Sequence, residues 1–325
     1  MRPPRVARAA FRRLSPRTRG ALLRRAGLFA PWEDGYGLTP PAPAPGEHTG
    51  PPDFVGIGVQ KAGTSWWYEL IAGHPGVSAR PDLHKERHYL SHFGTRPFGP
   101  SEVAEYHGWF PRRAGTITGE WTPDYLAYPW VPALLAEAAP AARLLVMVRD
   151  PVERFRSGLS FRLAQGALPT EATEALAVRQ GFTAASLRRV LDRFPKEQVL
   201  VLQYERCAAD PEGPLAATYR FLALDDGFRP AGLHRSVNVS GAKLDLDPEA
   251  RRRLVELYAP DVDDLVGMFP DLDLALWPNF AGDTGDTGDT GDTGDRGDTG
   301  DTGDTGDTGD GGPATGRRDG AVTGP

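Results

Sequence analysis

Residues 53–67 read DFVGIGVQKAGTSWW, an apolar run that passes through a glycine-bounded loop into a helix-forming segment. Nothing else in the sequence limits the fold as tightly. A short continuous apolar run is a strand buried on both faces, the kind found in parallel sheets. A strand, a glycine loop and a helix in succession make an anion cradle. The glycines let the backbone turn and expose its N–H groups, and the helix aims its positive end at the same point. The cradle predicted here comprises Gln60, Lys61, Ala62, Gly63, Thr64 and Ser65, with Lys61 adding a full charge and Thr64 and Ser65 hydroxyl donors. It is not the nucleoside-triphosphate loop. Gly58 and Gly63 keep the Gly-x4-Gly spacing, but Thr64 stands where that motif requires lysine, and the lysine lies inside the loop at Lys61. The bland alternative is a strand-to-helix turn carrying a solvated lysine.

The rest of the middle region alternates in the same way. Apolar runs at 142–148 (ARLLVMV) and 198–203 (QVLVLQ) are predicted strands. Helices are predicted over 64–72, 151–163, 182–194, 211–222 and 248–268, with Leu187, Val190, Leu191 and Phe194 on one face of the third. Proline opens the last two, as suits a first helical turn. Such alternation predicts an α/β fold, a central parallel sheet flanked by helices.

A second block, VRDPVERFRSG, begins at Val148. Arg149 falls at the carboxyl end of a predicted strand, the edge of an open α/β sheet where ligands sit. Ser157 lies two turns into the helix opened by Pro151. A guanidinium and a hydroxyl make a clamp for a second phosphate. The alternative is that Arg149 pairs with Asp150 or Glu153 as a helix cap.

The ends differ from the middle. Residues 1–30 hold nine Arg and no acid, and residues 30–52 form a Pro/Gly-rich linker. Residues 282–310 repeat Gly-Asp-Thr with Arg296 as the one interruption. That repeat lacks the proline of a collagen helix and the spacing of an EF-hand loop, so it reads as a disordered acidic tail. The expected organisation is an arm and linker over 1–52, a folded domain over 53–280 and a tail over 281–325. The formal net charge is −6, and removing the basic arm and the acidic tail leaves a mildly acidic middle. No basic stripe runs through that middle, which argues against nucleic acid as a partner. The arm offers weak peripheral membrane contact, though Pro16 interrupts it and a solvated arm is the simpler reading. No apolar run approaches the roughly 20 residues of a membrane span. The single cysteine, Cys207, allows no intrachain disulfide. The chain is therefore expected to be cytoplasmic.

The two blocks resemble the sulfotransferase superfamily that uses 3′-phosphoadenosine 5′-phosphosulfate (PAPS), and its heparan-sulfate-type branch with bacterial relatives. QKAGTSWW is similar to the loop that holds the 5′-phosphosulfate, and RDPVERFRSGLSF to the element that holds the 3′-phosphate. LHKERHYL, residues 83–90, resembles the family's Lys-Glu-x-x-aromatic segment. The resemblance covers about residues 53–280 and implies a P-loop-like three-layer fold. It further implies that Lys61 stabilises the leaving phosphate, Arg149 and Ser157 bind the 3′-phosphate, and Glu86 is the general base. Lys243, in a late loop that covers the nucleotide in relatives, is a further donor-binding candidate. In GEWTPDY, Trp121 stands where relatives often carry lysine before Thr/Ser-Pro.

The reaction implied moves a sulfuryl group from PAPS to a hydroxyl or amine, a carbohydrate among the candidates. It requires no metal: the loop N–H groups and Lys61 face the developing charge, and a carboxylate takes the proton. His88 is the rival base. His84, His88 and His92 would share a face only if their segment were helical, and no carboxylate or cysteine pattern completes a zinc site. Two other functions compete. A P-loop kinase would need a strand-end Asp for Mg²⁺, for which Asp150 is the candidate. A non-catalytic nucleotide-binding module would not need both Lys61 and Glu86. Acceptor contacts are expected from loops at 91–113 and 165–179.

Overall fold

The computed structural model describes residue 18 and residues 39–80, 82–164, 168, 170–234 and 244–281. Apart from Thr18, the predicted arm lies outside the described residues, as do the Gly-Asp-Thr tail and Lys243.

The first strand, β1 (Glu47–His48), lies within the segment read as linker and pairs antiparallel with β3 (Arg112–Arg113). β2 (Phe54–Gly58) is buried throughout and runs into α1 (Thr64–Ala72). After a 3-10 turn at Tyr89–Phe93 come α2 (Pro100–Gly108), then β3, then the short β4 (Gly119–Trp121). A second 3-10 turn, Pro123–Ala127, leads to α3 (Val131–Ala138), β5 (Arg143–Val148) and α4 (Pro151–Ala164). The chain continues through α5 (Glu171–Arg179), α6 (Thr183–Leu191), β6 (Val199–Gln203), α7 (Tyr204–Ala209), α8 (Glu212–Phe221) and α9 (Pro248–Met268).

The main sheet has the order β4-β2-β5-β6, and its pairs are parallel. From β2 the chain crosses to β4 on one side; from β5 it crosses to β6 on the other. The connections therefore diverge between β2 and β5. In an open α/β sheet this switch point, at the carboxyl ends of the strands, is where a ligand crevice forms. The loop after β2 and Arg149 after β5 both emerge there.

Core packing explains why β2 carries glycines. The Trp121 side chain of β4 lies against Gly56, where a Cβ would come within 2.1 Å of the indole. The same indole donates a 3.2 Å hydrogen bond to the Gly58 carbonyl. Trp121 is fully buried.

The three predicted strands and five predicted helices are present. Leu187, Val190 and Phe194 are buried as the third helix's face required, although that helix ends at Leu191. Helices α2, α3, α5 and α7 and strand β4 were not foreseen. The segments at 91–113 and 165–179, expected as loops, hold α2 and α5. The histidines do not share a helical face: His88 has φ 53°, in the left-handed region, and caps the 3-10 turn that carries His92. Among the described residues no group of His, Cys, Asp or Glu could hold a metal ion. None of the described helices is long and apolar enough to cross a membrane.

Candidate active site

The loop between β2 and α1 turns through two left-handed residues, Lys61 (φ 71°) and Gly63 (φ 85°). Gly63 is also the N-cap of α1 and offers no side-chain cap. The first turn of α1 holds no acidic residue, so the positive end of the helix faces the crevice with no local carboxylate competing. Gly63 fits for a second reason: a Cβ there would lie 2.7 Å from the Tyr204 ring. Ala62 and Thr64 are buried and anchor the loop; Gln60, Lys61 and Ser65 are half-buried.

Tyr204, directly after β6, joins this loop to the second block. The Arg149 guanidinium lies 4.7 Å from its ring centroid, and Arg149 Nη1 donates a 2.9 Å hydrogen bond to the Lys61 carbonyl. Arg149 is thus not the helix cap that the alternative reading required. Asp150 does that work alone. Its Oδ1 accepts from the amides of Val152 (2.9 Å) and Glu153 (3.1 Å), and its Oδ2 from the backbone and side chain of Asn279 (3.0 and 2.9 Å). With both oxygens engaged, Asp150 is not poised to hold Mg²⁺, which removes the main support for a kinase.

Beneath the loop, α4 presents Arg154, Ser157, Gly158, Phe161 and Arg162. Ser157 is buried. A Cβ on Gly158 would stand 3.4 Å from Arg154 Nη1 and 4.0 Å from Lys61 Cγ, so this face lies directly under Lys61. Lys61 Nζ sits 4.2 Å from the Phe161 ring centroid. Arg154 is 1% exposed, and its Nε and Nη1 are buried without a hydrogen-bond partner, as are Arg149 Nε and Arg162 Nε. Burial and the neighbouring Arg149 pull the Lys61 ammonium below the usual lysine range, with Glu86 opposing them. Burial, despite Tyr258 beside it, lowers Arg154 to about 10, with Arg162 and Arg149 adding to the fall. A buried Arg154 beside half-buried Lys61, Arg149 and Arg162, with buried guanidinium nitrogens that have no protein partner, suits the binding of an anion.

The other wall carries Lys85, Glu86 and His88. Glu86 Oε1 is 2.6 Å from Lys85 Nζ, and its Oε2 is 3.1 Å from His88 Nε2. Burial pushes the Glu86 carboxyl up, but the His88 hydrogen bond and the Lys85 charge outweigh it and hold the group at about 2. The same hydrogen bond, opposed by burial, raises the His88 imidazole above its ordinary value. Lys61 and Glu86 are close enough to influence each other electrostatically, so the first and third sequence blocks lie near one another. Trp121 points away from this site into the core, with its carbonyl 3.4 Å from Lys85 Nζ.

Sequence reasoning had not singled out Tyr204, Arg154, Arg162, Asp124 or Gln180. Tyr204 carried a legible signal, its place directly after a predicted strand. Arg154 and Arg162 share a helix face with Ser157, but the burial of Arg154 and the half-burial of Arg162 follow from tertiary packing. Cys207 is buried, and burial pushes its thiol up to about 12, as suits a small apolar residue.

A family model described as "Sulfotransferase family" matches residues 123–228, which include Arg149 and Ser157 and stop short of the loop at Lys61. Mouse (Mus musculus) heparan sulfate glucosamine 3-O-sulfotransferase 6 is 32% identical over 203 residues, covering 57% of this chain and 56% of that protein. Human (Homo sapiens) heparan sulfate glucosamine 3-O-sulfotransferase 3B1 is 32% identical over 191 residues, covering 53% and 46%. The chain thus spans about half the length of the curated relatives it matches. The crystal structure of a sulfotransferase from Alicyclobacillus acidocaldarius superimposes with a TM-score of 0.57 at 26% identity, covering 70% of this chain and 98% of that one.

Proposed function

We propose that this chain, like the sulfotransferases it resembles, transfers a sulfuryl group from PAPS to a hydroxyl or amine acceptor. One observation carries the reading: the loop around Lys61 and the α4 face below it converge on the β2/β5 switch point with buried guanidinium donors on Arg149 and Arg154 that have no partner. A donor with phosphates at two positions supplies the missing acceptors.

In this scheme the α1 N-terminus, Gln60, Thr64 and Ser65 hold the 5′-phosphosulfate, and Arg149 and Ser157 hold the 3′-phosphate. Lys243 would close over the nucleotide. Transfer forms a bond from the acceptor oxygen or nitrogen to sulfur as the bond from sulfur to the 5′-phosphate oxygen breaks. Lys61 stabilises the charge growing on that leaving oxygen. Glu86 takes the acceptor proton. A carboxylate held at about 2 is always ionised near neutral pH but is a weak base, so proton uptake requires Lys85 or His88 to loosen its hold. No step calls for a metal, and turnover in EDTA is expected.

The two similar 3-O-sulfotransferases favour a carbohydrate acceptor. A domain over 53–280, with flanks dispensable for donor binding, fits the resemblance, and removing 282–325 should leave donor affinity intact. Cytoplasmic residence accords with a chain holding one buried cysteine.

Calorimetry tests the donor site. Adenosine 3′,5′-bisphosphate should bind more tightly than AMP or ATP; equal affinity for AMP would remove the 3′-phosphate assignment of Arg149 and Ser157.

A further inference from the structure

A cavity of about 350 Å³ opens beside the donor loop. Gln60 from that loop, Pro123 and Leu126 from the turn after β4, and Gln180, Thr183 and Arg189 from the α5–α6 region line it. Its walls are mixed, with amide, hydroxyl and guanidinium groups facing proline, leucine and other apolar side chains.

Asp124 is next in sequence to Pro123 of the cavity lining and is bonded to Gln180, another lining residue. Its Oδ1 accepts a 3.5 Å hydrogen bond from Gln180 Nε2. Gln180 Oε1 in turn accepts a 3.2 Å bond from Arg162 Nη2, which also lies 3.5 Å from Gln60 Oε1. A row of polar groups therefore runs from the donor loop to Asp124. Asp124 is also within electrostatic range of His88, Glu86 and Lys85. Burial pushes its carboxyl up, with Glu86 adding to the rise and His88, Arg162 and Lys85 opposing it. Among the described residues, the long contact from Gln180 is the side-chain hydrogen bond that Asp124 receives. A half-buried carboxylate so weakly satisfied needs a further donor.

We propose that Asp124 orients the acceptor by taking a hydrogen bond from a hydroxyl or ammonium adjacent to the group being sulfated, while that group lies against Glu86 and the rest of the molecule enters the cavity. The acceptor class is then a vicinal diol or a vicinal amino alcohol. The inference rests on the sulfotransferase reading above. A site built to bond a neighbouring donor group discriminates against analogues that lack it, because the carboxylate is then left buried and unpaired.

The test uses full-length protein, sulfur-labelled PAPS and three probe acceptors: cyclohexanol, trans-1,2-cyclohexanediol and trans-2-aminocyclohexanol. Wild type should sulfate the diol or the amino alcohol with kcat/KM about 10–100-fold above cyclohexanol, the range for one hydrogen bond to a charged group. Asp124→Ala should bring the probes level by lowering kcat/KM for the bifunctional ones only, with affinity for adenosine 3′,5′-bisphosphate unchanged as the check on folding. Asp124→Asn, which keeps a neutral acceptor atom, should retain part of the preference for the diol and lose that for the amino alcohol. The inference is overturned if wild type shows no preference, or if the Ala and Asn variants both keep it. It is equally overturned if no probe is sulfated by protein that binds the bisphosphate. Wild-type protein that fails to bind the bisphosphate contradicts the donor reading instead, and the inference falls with it.

Discussion

Arg149, at the end of β5, donates a 2.9 Å hydrogen bond to the carbonyl of Lys61 in the loop after β2. This contact ties together the two strand ends that flank the switch point, and the Tyr204 ring supports it from below. The Arg149→Ala substitution should weaken adenosine 3′,5′-bisphosphate binding about 10–100-fold, as expected when a charge-assisted contact is lost. AMP, with no 3′-phosphate, should lose much less. Arg149→Lys should not restore the affinity, since an ammonium cannot both stack on Tyr204 and present a planar fork. Titration of both nucleotides against the three proteins checks this, and equal losses for AMP and the bisphosphate would place Arg149 in loop support alone.

Gly56 and Trp121 pack so closely that the indole occupies the space a side chain at Gly56 would need. A methyl group at Gly56 would stand 2.1 Å from an indole that is fully buried and held by its bond to the Gly58 carbonyl. Gly56→Ala should therefore destabilise the fold by about 1–3 kcal/mol, the range for overpacking. Thermal or urea denaturation reads it directly, and an unchanged midpoint would mean that Trp121 is free to move. Gly56→Ala combined with Trp121→Leu should recover part of the loss.

His88 and Glu86 make a pH-dependent pair whose sign can be worked out. The hydrogen bond that His88 donates to Glu86 raises His88 despite its burial, so its contribution to stability is complete below the unfolded histidine value of about 6.5 and fades as pH rises through the higher folded value. Glu86, held at about 2, contributes above the ordinary carboxylate value and loses its contribution as pH falls towards 2. In Glu86→Gln the group that raises His88 is gone, so His88 should titrate at lower pH than in wild type. Histidine ring resonances followed by NMR across pH 5–9, roughly the span in which histidines titrate, test this. An unmoved titration would show that the contact does not persist in solution.

Much of the fold was legible because three of its strands are continuous apolar runs and four of the five predicted helices start at or beside a proline or at the glycine loop. β2, β5, β6, α1 and α9 were each anticipated to within a residue or two. β4 was not, because Gly-Glu-Trp is too short to show a period and is a strand only through its pairing with β2. Of the proposed site, the loop at Lys61, Arg149, Ser157 and Glu86 stood out as motifs. Arg154, Arg162 and Asp124 did not, because nothing in a lone arginine or aspartate tells which will be drawn wholly or partly out of solvent. Trp121 at a position where relatives often carry lysine has a structural explanation: its ring fills the space over Gly56 instead of reaching the site.

The central claim is that Lys61 and Glu86 serve one sulfuryl transfer in different steps, and transfer of label from sulfur-labelled PAPS tests it most directly. A panel of glycan, amino-alcohol and diol acceptors should include at least one that wild-type protein labels. On that acceptor Lys61→Ala should lower both donor affinity and turnover, because its charge meets the phosphate in the ground state and more strongly in the transition state. Glu86→Gln should cut turnover by roughly 10²–10⁴-fold, the range for a general base, with donor affinity almost unchanged. Near-normal label transfer by Glu86→Gln, or by Lys61→Ala, would contradict the account.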